Sequence, residues 1–323
     1  MAKRLLTTLN LSYSEAWGLL FRAAEIKNAN YTSDLLAGKT IVMIFEKAST
    51  RTRVSFEIAV NQMGGKTLLM TRHDSQLGRH EPIADTARVL SRYADGLIVR
   101  TYAHSTLDFL AAYSDIPVIN ALSDDFHPCQ ILSDMLTITE RTPDLEKVRI
   151  AWVGDGNNVA HSLMQAAIYF PFELFMTFPK GYEPNTDIIG NCLSLGAKIY
   201  MTYDPEEGVE DAHYVYTDVW ASMGQEDEQE KRAEIFAPYQ VNEELLAGAH
   251  PDCKVMHCLP AHRGEEITDE VIEGPRSIVW DQAENRLHMQ KAILEWVYGN
   301  HDYHQYTVTT KHGKHQAFPH APF

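Results

Sequence analysis

The sequence predicts an α/β protein made of two domains, each built on a parallel β-sheet. Short apolar, β-branched runs alternate along the chain with longer stretches of helical periodicity, as in parallel sheets covered by helices on both faces. Ten such runs are many for one compact sheet, and 323 residues suffice for two domains of ordinary size. We therefore expect two Rossmann-like domains with parallel sheets, linked by helices.

The predicted strands are short, continuous apolar runs, which suit strands buried on both faces. They cover residues 40–45, 67–70, 96–100, 117–120, 149–154, 173–178, 198–202, 213–218, 254–258 and 277–280. A helix is predicted over residues 52–63, where apolar side chains recur at positions i, i+3, i+4 and i+7. The polar stretch 139–148, which contains Pro143, is the candidate hinge between the domains. The acidic stretch 224–234 is expected to be an exposed loop that enters a helix.

Composition excludes several classes of function. A net charge of −16 disfavours nucleic acid, because phosphate backbones repel a strongly acidic surface. No segment reaches the roughly 18 consecutive apolar residues of a membrane helix, and the first residues do not have the pattern of a signal peptide. The four cysteines include no C-x-x-C pair, which fits a reducing cytosol. The cysteines are Cys129, Cys192, Cys253 and Cys258.

A site for a phosphate-sized anion is predicted in residues 45–53 (FEKASTRTR). A strand ends at Phe45, and a helix is expected to begin near Thr52, capped by Ser49 or Thr50. Free backbone N–H groups at a helix start bind anions. Additional donors are the hydroxyls of Ser49, Thr50 and Thr52 and the forked guanidinium of Arg51. The alternative is a well-capped helix with two solvated arginines, but S-T-R-T-R directly after a strand is unusual for capping alone.

This segment resembles the S-T-R-T-R segment with which aspartate and ornithine carbamoyltransferases hold the phosphate of carbamoyl phosphate. The resemblance continues in order along nearly the whole chain. Residues 78–100 are similar to the family's mobile loop and following helix, ending on Arg100, and residues 127–134 (HPCQILSD) are similar to its H-P-x-Q motif. The resemblance implies a carbamoyl phosphate-binding domain over residues 1–142 and an ornithine-binding domain over residues 143–282. A C-terminal helix, about residues 283–323, is expected to pack back onto the first domain.

The family resemblance assigns roles to the first half of the chain. When an amine attacks the carbamoyl carbonyl, its oxygen becomes an oxyanion that needs donors where the charge develops. Thr52, Arg100 and His127 can supply them, and Gln130 can hold the carbamoyl NH2. From position alone, His127 is equally well explained as a strand-end histidine bonded to backbone. In the family, the residue corresponding to Gln76 reaches the neighbouring subunit's site, which implies a homotrimer.

The second half determines the acceptor. GDGNN (154–158) has Val159 in place of the third glycine of a dinucleotide fingerprint, and GGKT (64–67) has Val60 in place of the first glycine of a P-loop. Neither segment therefore matches a nucleotide-binding motif. By resemblance, Asn157 and Asn158 hold the amino-acid end of ornithine, and Asp218 in TDVWASMG binds its α-ammonium. Ser222 and Met223 then lie on a loop that closes over ornithine. For Asp218, the alternative is an N-cap aspartate at a strand end.

Two further segments complete the resemblance. In HCLPAHRG (257–264), Cys258 is implied to lie beside the reacting amine, and the Leu259 carbonyl to orient the carbamoyl NH2. Arg286, in the family's E-N-R position, adds a cation to carbamoyl phosphate. The implied catalytic residues are Arg100, His127, Asp218 and Cys258. The implied carbamoyl phosphate ligands are Ser49, Thr50, Arg51, Thr52, Gln76, Arg100, His127, Gln130, Cys258, Leu259 and Arg286.

The expected reaction is carbamoyl transfer to the side-chain amine of ornithine, giving citrulline and phosphate, with no metal and no organic cofactor. Alternatives are a relative acting on putrescine or a modified ornithine, and a catalytically silent relative that regulates a partner enzyme. One departure from the family is His80, where many ornithine enzymes have glycine. The histidine-rich end, residues 301–323, is expected to be a partly ordered tail; the alternative is a metal-binding segment.

Overall fold

The computed structural model describes residues 2–71, 81–221, 228–300 and 303 of the chain. Contacts divide the chain into two compact units, which we call the first unit (residues 1–136 and 285–323) and the second unit (residues 137–284). The first unit is thus discontinuous in sequence. Both boundaries fall inside helices, at residues 136/137 and 284/285.

The first unit contains a five-stranded, all-parallel sheet. Its strands are β1 (Arg4–Leu5), β2 (Thr40–Phe45), β3 (Lys66–Thr71), β4 (Gly96–Arg100) and β5 (Val118–Leu122). The helices that begin in this unit are α1 (Tyr13–Asn28), α2 (Arg51–Gln62), α3 (Ile83–Tyr93), α4 (His104–Tyr113) and α5 (Pro128–Thr139). The strand order is β1-β5-β4-β2-β3. Strand β2 is buried from its second residue to its end, as the apolar run predicts.

The second unit has a sheet of the same kind. Its strands are β6 (Arg149–Val153), β7 (Glu173–Thr177), β8 (Ile199–Thr202), β9 (Tyr214–Thr217) and β10 (Lys254–His257), in the order β10-β9-β6-β7-β8, all parallel. Its helices are α6 (Asn158–Tyr169), α7 (Thr186–Ser194), α8 (Pro205–Val209), α9 (Gln229–Phe236), α10 (Glu243–Leu246) and α11 (Asp269–Ile272). Helix α12 (Val279–Tyr298) starts in the second unit and belongs to the first unit from Asn285 onwards.

Each sheet has one point at which the strand order reverses. In the first unit the chain leaves β2 for β3 on one side, and β4 then pairs with β2 on the other side. In the second unit β6 is flanked by β7 and β9 in the same way. Ligands of parallel α/β sheets bind outside the carboxyl ends of the strands at such switch points. Ligand-binding residues are therefore expected in the segments that follow β2 and β4, and in those that follow β6 and β9.

The predicted α/β fold with parallel sheets is confirmed, with one wrong strand and one missed strand. Residues 277–280 are not a strand: Ser277 forms an isolated bridge to Val255, and α12 begins at Val279. Trp280 is 56% exposed, which a strand buried on both faces would not allow. Strand β1 was missed because two residues carry no periodicity. None of the helices in the described ranges is both long enough and apolar enough to span a membrane.

Candidate functional sites at the two switch points

The β2–α2 turn brings the S-T-R-T-R segment to the switch point of the first unit. Helix α2 begins at Arg51, one residue earlier than expected, and Thr50 is its N-cap. The expected capping by the hydroxyl of Thr50 or Ser49 is wrong, because the N-cap residue forms no side-chain hydrogen bond to the helix and is exposed. The Thr50 hydroxyl therefore does not cap the helix. Thr52, the second residue of α2, is buried.

Arg286 ties this turn to helix α5. Its Nη2 donates to Thr52 Oγ1 at 3.1 Å, and its Nη1 donates to Gln130 Oε1. Gln130 Nε2 in turn donates to Asp134 Oδ1 at 2.8 Å. All four side chains are buried, so the network orients a guanidinium and an amide in a low-dielectric environment, where hydrogen bonds to charged groups are strong. We call Thr52, Gln130, Asp134 and Arg286 the Arg286 network.

His127 lies directly before α5 and is buried. Burial, together with the positive charges of Arg286 and Arg100, holds the pKa of its imidazole well below the usual 6.5. His127 is therefore neutral at physiological pH, and it can donate one hydrogen bond without carrying a charge. Arg100 ends β4 beside Phe45 of β2, which places it at the switch point. Cationic and neutral donors thus converge on one edge of the first sheet, which suits an anion.

Lys47 and Asp134 are two residues of this edge that sequence reasoning missed. The Lys47 ammonium is buried, forms an ion pair with Asp124 after β5, and lies 4.4 Å from the ring centroid of Tyr102 after β4. It links the loops that follow β2, β4 and β5. A charge two residues after a buried strand is the signal for Lys47, and the i+4 spacing from Gln130 is the signal for Asp134.

The switch point of the second unit carries an anion. Asp218 follows β9 and is buried. Its Oδ2 accepts a hydrogen bond from Asn157 Nδ2 at 2.8 Å, and its Oδ1 accepts one from the Cys258 thiol at 3.0 Å. Asn157 also caps α6, since its Oδ1 accepts from the backbone N–H groups of Val159 and Ala160. One asparagine therefore fixes both the helix start and the carboxylate.

The turn after β10 positions Cys258 and Leu259. Leu259 has a φ of 59° and is followed by a cis bond to Pro260. Its N–H donates to His257 Nδ1 at 2.8 Å, so the ring proton of a neutral His257 is on Nε2, which donates to Glu266 Oε1 at 2.9 Å. His257 and Glu266 are fully buried. This pair holds the backbone of the turn in place.

Two groups of side chains in the described part of the chain have metal-ligand chemistry. Asp218, His257 and Cys258 form one, and His262, Glu265 and Glu266 form the other; in each, the ligand atoms lie within 4.8 Å of one another. In the first group both nitrogens of His257 are already hydrogen-bonded, and the Cys258 thiol is bonded to Asp218. The side chains of the first group thus already have hydrogen-bond partners within the protein.

The predicted site residues fall into two sets. Contacts join Thr52, Gln130 and Arg286 in the first unit, and Asn157, Asp218 and Cys258 in the second. The first unit also carries Ser49, Thr50, Arg51, Arg100 and His127, and the second also carries Asn158 and Leu259. Gln76, Ser222 and Met223, together with His80 and nearly all of the histidine-rich end, lie outside the described residues. Asp155 and Arg232, which form an ion pair at 3.2 Å in the second unit, were missed.

Both halves of the chain match family models. Residues 3–140 match the carbamoyl-P binding domain of the aspartate/ornithine carbamoyltransferases, and residues 146–297 match the Asp/Orn binding domain. An ornithine carbamoyltransferase of Oleidesulfovibrio alaskensis is 62% identical over 92% of this chain and 99% of that protein. One from Nitratidesulfovibrio vulgaris is 59% identical over 92% of this chain and 99% of that protein. The solved ornithine carbamoyltransferase of Pyrococcus furiosus superposes with a TM-score of 0.88 at 50% identity, covering 93% of this chain and 99% of that one.

Proposed function

The chain belongs to the aspartate/ornithine carbamoyltransferase family, and we propose that its two switch-point clusters are the donor and acceptor sites of that chemistry. The reaction transfers the carbamoyl group of carbamoyl phosphate to the side-chain amine of L-ornithine, giving L-citrulline and phosphate. It belongs to arginine metabolism. The observation that carries the site assignment is the opposite charge of the two clusters, since one substrate is an anion and the other presents an ammonium.

The donor site is assigned to the first switch point. The N-terminal turn of α2 and the residues Ser49, Thr50, Arg51 and Thr52 bind the phosphate, in the way helix N-termini and guanidinium groups bind anions. Buried Arg286 adds a cation, and its hydrogen bonds to Thr52 and Gln130 support this role. Gln76 is assigned to the same substrate by family position.

Arg100, His127 and Thr52 stabilise the oxyanion that forms on the carbamoyl carbonyl. The depressed pKa of His127 supports a neutral donor, which stabilises developing negative charge without holding the dianionic substrate too tightly in the ground state. Gln130 and the Leu259 carbonyl orient the carbamoyl NH2. The neutral amine forms a bond to the carbonyl carbon, the carbon–oxygen bond to phosphate breaks, and the departing phosphate takes the amine's proton.

The acceptor site is assigned to the second switch point. Asp218 binds the α-ammonium of ornithine, and Asn157 and Asn158 hold the amino-acid end of the same substrate. Ser222 and Met223 are assigned to ornithine binding by family position. Asp218 accepts hydrogen bonds from Asn157 and from the Cys258 thiol, which hold its carboxylate in place at the switch point. Cys258 lies beside the reacting amine as a thiol that donates to Asp218, and no covalent intermediate is involved.

The test is citrulline formation from carbamoyl phosphate and L-ornithine, with putrescine, N-acetylornithine and aspartate run in parallel. Activity with ornithine alone supports the assignment of Asp218, Asn157 and Asn158 to the α-amino and carboxylate groups. Faster carbamoylation of putrescine would contradict it, since putrescine has neither group. Carbamoyl phosphate binding without transfer to any amine would favour a silent regulatory relative.

Arg51→Gln is the matching variant for the donor site, with Arg88→Gln as its control, because Arg88 is an exposed arginine paired with Asp85 on α3. We expect Arg51→Gln to lower kcat/KM for carbamoyl phosphate by about a hundredfold or more, as loss of a charged donor to a bound anion does. Arg88→Gln should leave it unchanged. Equal effects of the two substitutions would remove Arg51 from the site.

We further propose a homotrimer, since the family position of Gln76 implies a residue shared between subunits, and a reducing cytoplasmic location, since all four cysteines are free. Light scattering on the purified protein tests the assembly. A mass near three times 36.6 kDa, or a multiple of that, supports the trimer, and a monomer contradicts it.

A further inference from the structure

The loop of residues 257–262 (HCLPAH) is bonded at both ends to one oxygen atom of Glu266. Glu266 Oε1 accepts a hydrogen bond from His257 Nε2 at 2.9 Å, where β10 ends, and another from the backbone N–H of His262 at 2.7 Å. The side chains of His257 and Glu266 are fully buried. Hydrogen bonds to a buried carboxylate are strong and directional. A side chain outside the loop therefore fixes both of its ends.

The main chain of Glu266 is itself anchored in the core of the second unit. Its carbonyl oxygen accepts from the N–H of Val241 at 2.9 Å, and the next residue, Ile267, forms a bridge to Val241. Val241 and Ile267 are fully buried in an apolar cluster that also contains Val255 of β10. Glu266 is thus a fixed point to which the loop is bonded.

His257 connects this fixed point to Leu259. The backbone N–H of His257 donates to Gln282 Oε1 at 2.9 Å, and its ring Nδ1 accepts from the Leu259 N–H at 2.8 Å. Because Nε2 is bonded to Glu266, the ring cannot turn without losing a hydrogen bond. Leu259 has a φ of 59°, a left-handed conformation that residues other than glycine seldom adopt without support. The bond to Nδ1 therefore stabilises an unusual backbone conformation.

Cys258 lies between the two residues that this bond joins. Its thiol donates to Asp218 Oδ1 at 3.0 Å. A change in the backbone of Leu259 would turn the peptide groups on either side of it, and would move the Cys258 thiol relative to Asp218. Groups that act on reacting atoms must be placed accurately, since a displacement of about 1 Å can lower a rate by about a hundredfold.

We propose that His257 and Glu266 are a positioning pair that sets the Cys258 thiol and the Leu259 carbonyl for carbamoyl transfer. This inference rests on the proposed function, in which these two groups lie beside the reacting amine and the carbamoyl NH2. The pair contacts no reacting atom and acts through Leu259. Because the Asp218 carboxylate is also held by an asparagine outside the loop, loss of the pair should lower kcat more than it raises KM for ornithine.

The first test separates the two ring nitrogens of His257. In His257→Gln the side-chain amide can still donate to Glu266, but the acceptor for the Leu259 N–H is lost. In His257→Asn the side-chain oxygen can still accept from Leu259, but the donor to Glu266 is lost. We expect kcat to fall by about a hundredfold in His257→Gln, with KM for ornithine within about threefold, and by about tenfold in His257→Asn.

A purely structural histidine predicts the opposite order of these two variants. Asparagine leaves a cavity and removes the donor to Glu266, whereas glutamine keeps more of the volume and that donor. A kcat for His257→Asn that is equal to or below that of His257→Gln would therefore overturn the proposal.

Glu266 provides a second, independent pair of variants. Glu266→Gln keeps an oxygen that can accept from His257 and His262, whereas Glu266→Leu has a similar size and no acceptor. We expect kcat to be about tenfold lower in Glu266→Leu than in Glu266→Gln, with KM for ornithine within about threefold. Equal kcat values in the two variants would contradict the proposal. A cooperative urea-unfolding transition verifies the fold of each variant, and this pair decides the outcome if a His257 variant does not fold.

His213→Gln is the matched control. The ring Nδ1 of His213 also accepts a backbone N–H, that of Arg149 at 3.2 Å, but Arg149 begins β6 at the opposite edge of the same sheet. This variant should keep kcat and KM within about twofold. A loss equal to that of His257→Gln would show that any such bond matters, and would overturn the proposal. If the proposed function itself were wrong, the unmodified protein would make no citrulline, which separates that failure from failure of the positioning pair.

Discussion

The two units use the same sheet plan but present opposite charges at the switch point. In the first unit, Arg100 and Arg286 surround a neutral His127. In the second unit, Asp218 accepts hydrogen bonds from Asn157 and Cys258, and Asp155 forms an ion pair with Arg232. The parallel sheet supplies the edge on which a ligand binds, and the side chains after each strand determine which ligand it is. The same architecture therefore accepts an anionic donor in one unit and an ammonium-bearing acceptor in the other.

The two sites also differ in the hydrogen bonds that hold their side chains in place. The donor residues are linked across long stretches of sequence, because Arg286 bonds to Gln130, 156 residues away, and to Thr52, 234 residues away. In the acceptor site, Asn157 both caps α6 and donates a hydrogen bond to the Asp218 carboxylate. We infer that damage to the donor site spreads through the Arg286 network, whereas damage to the acceptor site stays with ornithine binding.

The largest expected effect is the loss of Arg286. Arg286→Met removes a buried cation and leaves Gln130 Oε1 and Thr52 Oγ1 without their donor. We expect kcat/KM for carbamoyl phosphate to fall by about a thousandfold, in the range seen when a buried charged partner or an oxyanion donor is removed. Steady-state kinetics at saturating ornithine measures it. A fall of less than about tenfold would remove Arg286 from the donor site.

Asp218→Asn should give the next largest effect, confined to the acceptor. The substitution removes the charge that pairs with the α-ammonium but keeps the size of the side chain. We expect kcat/KM for ornithine to fall by about a hundredfold. Measuring it at saturating carbamoyl phosphate isolates the acceptor. If KM for ornithine were unchanged, the two sites would not be divided by charge as described.

A smaller effect concerns stability at low pH in the donor site. The pKa of His127 is lower in the folded protein than in the unfolded chain, so below about pH 6.5 the unfolded chain binds more protons and stability is lost as pH falls. The loss is about 1.4 kcal/mol per pH unit for one group. Urea unfolding at pH 7.5 and 5.5 should show a steeper decline for the unmodified protein than for His127→Asn. Parallel declines would contradict a neutral, buried His127.

A second effect on stability, of similar size, has the opposite sign and lies in the acceptor site. The pKa of Asp155 is raised from 3.8 to about 6, so the folded protein binds more protons than the unfolded chain between those values. The contribution of Asp155 to stability is therefore fully present below about pH 4 and is lost as pH rises through 6. Relative to Asp155→Asn, the unmodified protein should lose about 2 kcal/mol over that range, measured by urea unfolding. A relative gain in stability would show the carboxylate to be stabilised as an anion.

The features that the sequence predicted best are those that depend only on residues adjacent in the chain. Strands such as β2 and β6 are apolar runs that any parallel sheet buries, and the apolar face of α2 is visible in its i, i+3, i+4 spacing. Residues 277–280 were wrongly predicted to be a strand, because a four-residue apolar run is compatible with a helix start as well as with a strand. The two residues of β1 are too few to show a pattern.

The candidate site residues also differ in whether the sequence could predict them. Local motifs identified the segments that carry these side chains: Asp218 and Cys258 end predicted strands, Arg51 lies between a predicted strand and a predicted helix, and His127 was found by its H-P-x-Q motif. The ion pair between Asp155 and Arg232 and the burial of Lys47 were not predictable, because they depend on which loops the folded sheet brings together. The charge balance of the acceptor site is therefore visible only in three dimensions.

The most direct test of the division by charge is calorimetric binding of carbamoyl phosphate alone to the unmodified protein, Arg286→Met and Asp218→Asn. We predict a Kd for Asp218→Asn within about twofold of the unmodified protein, and a Kd for Arg286→Met at least about a hundredfold weaker. Loss of carbamoyl phosphate binding in Asp218→Asn, or its retention in Arg286→Met, would contradict the assignment of donor and acceptor to oppositely charged sites.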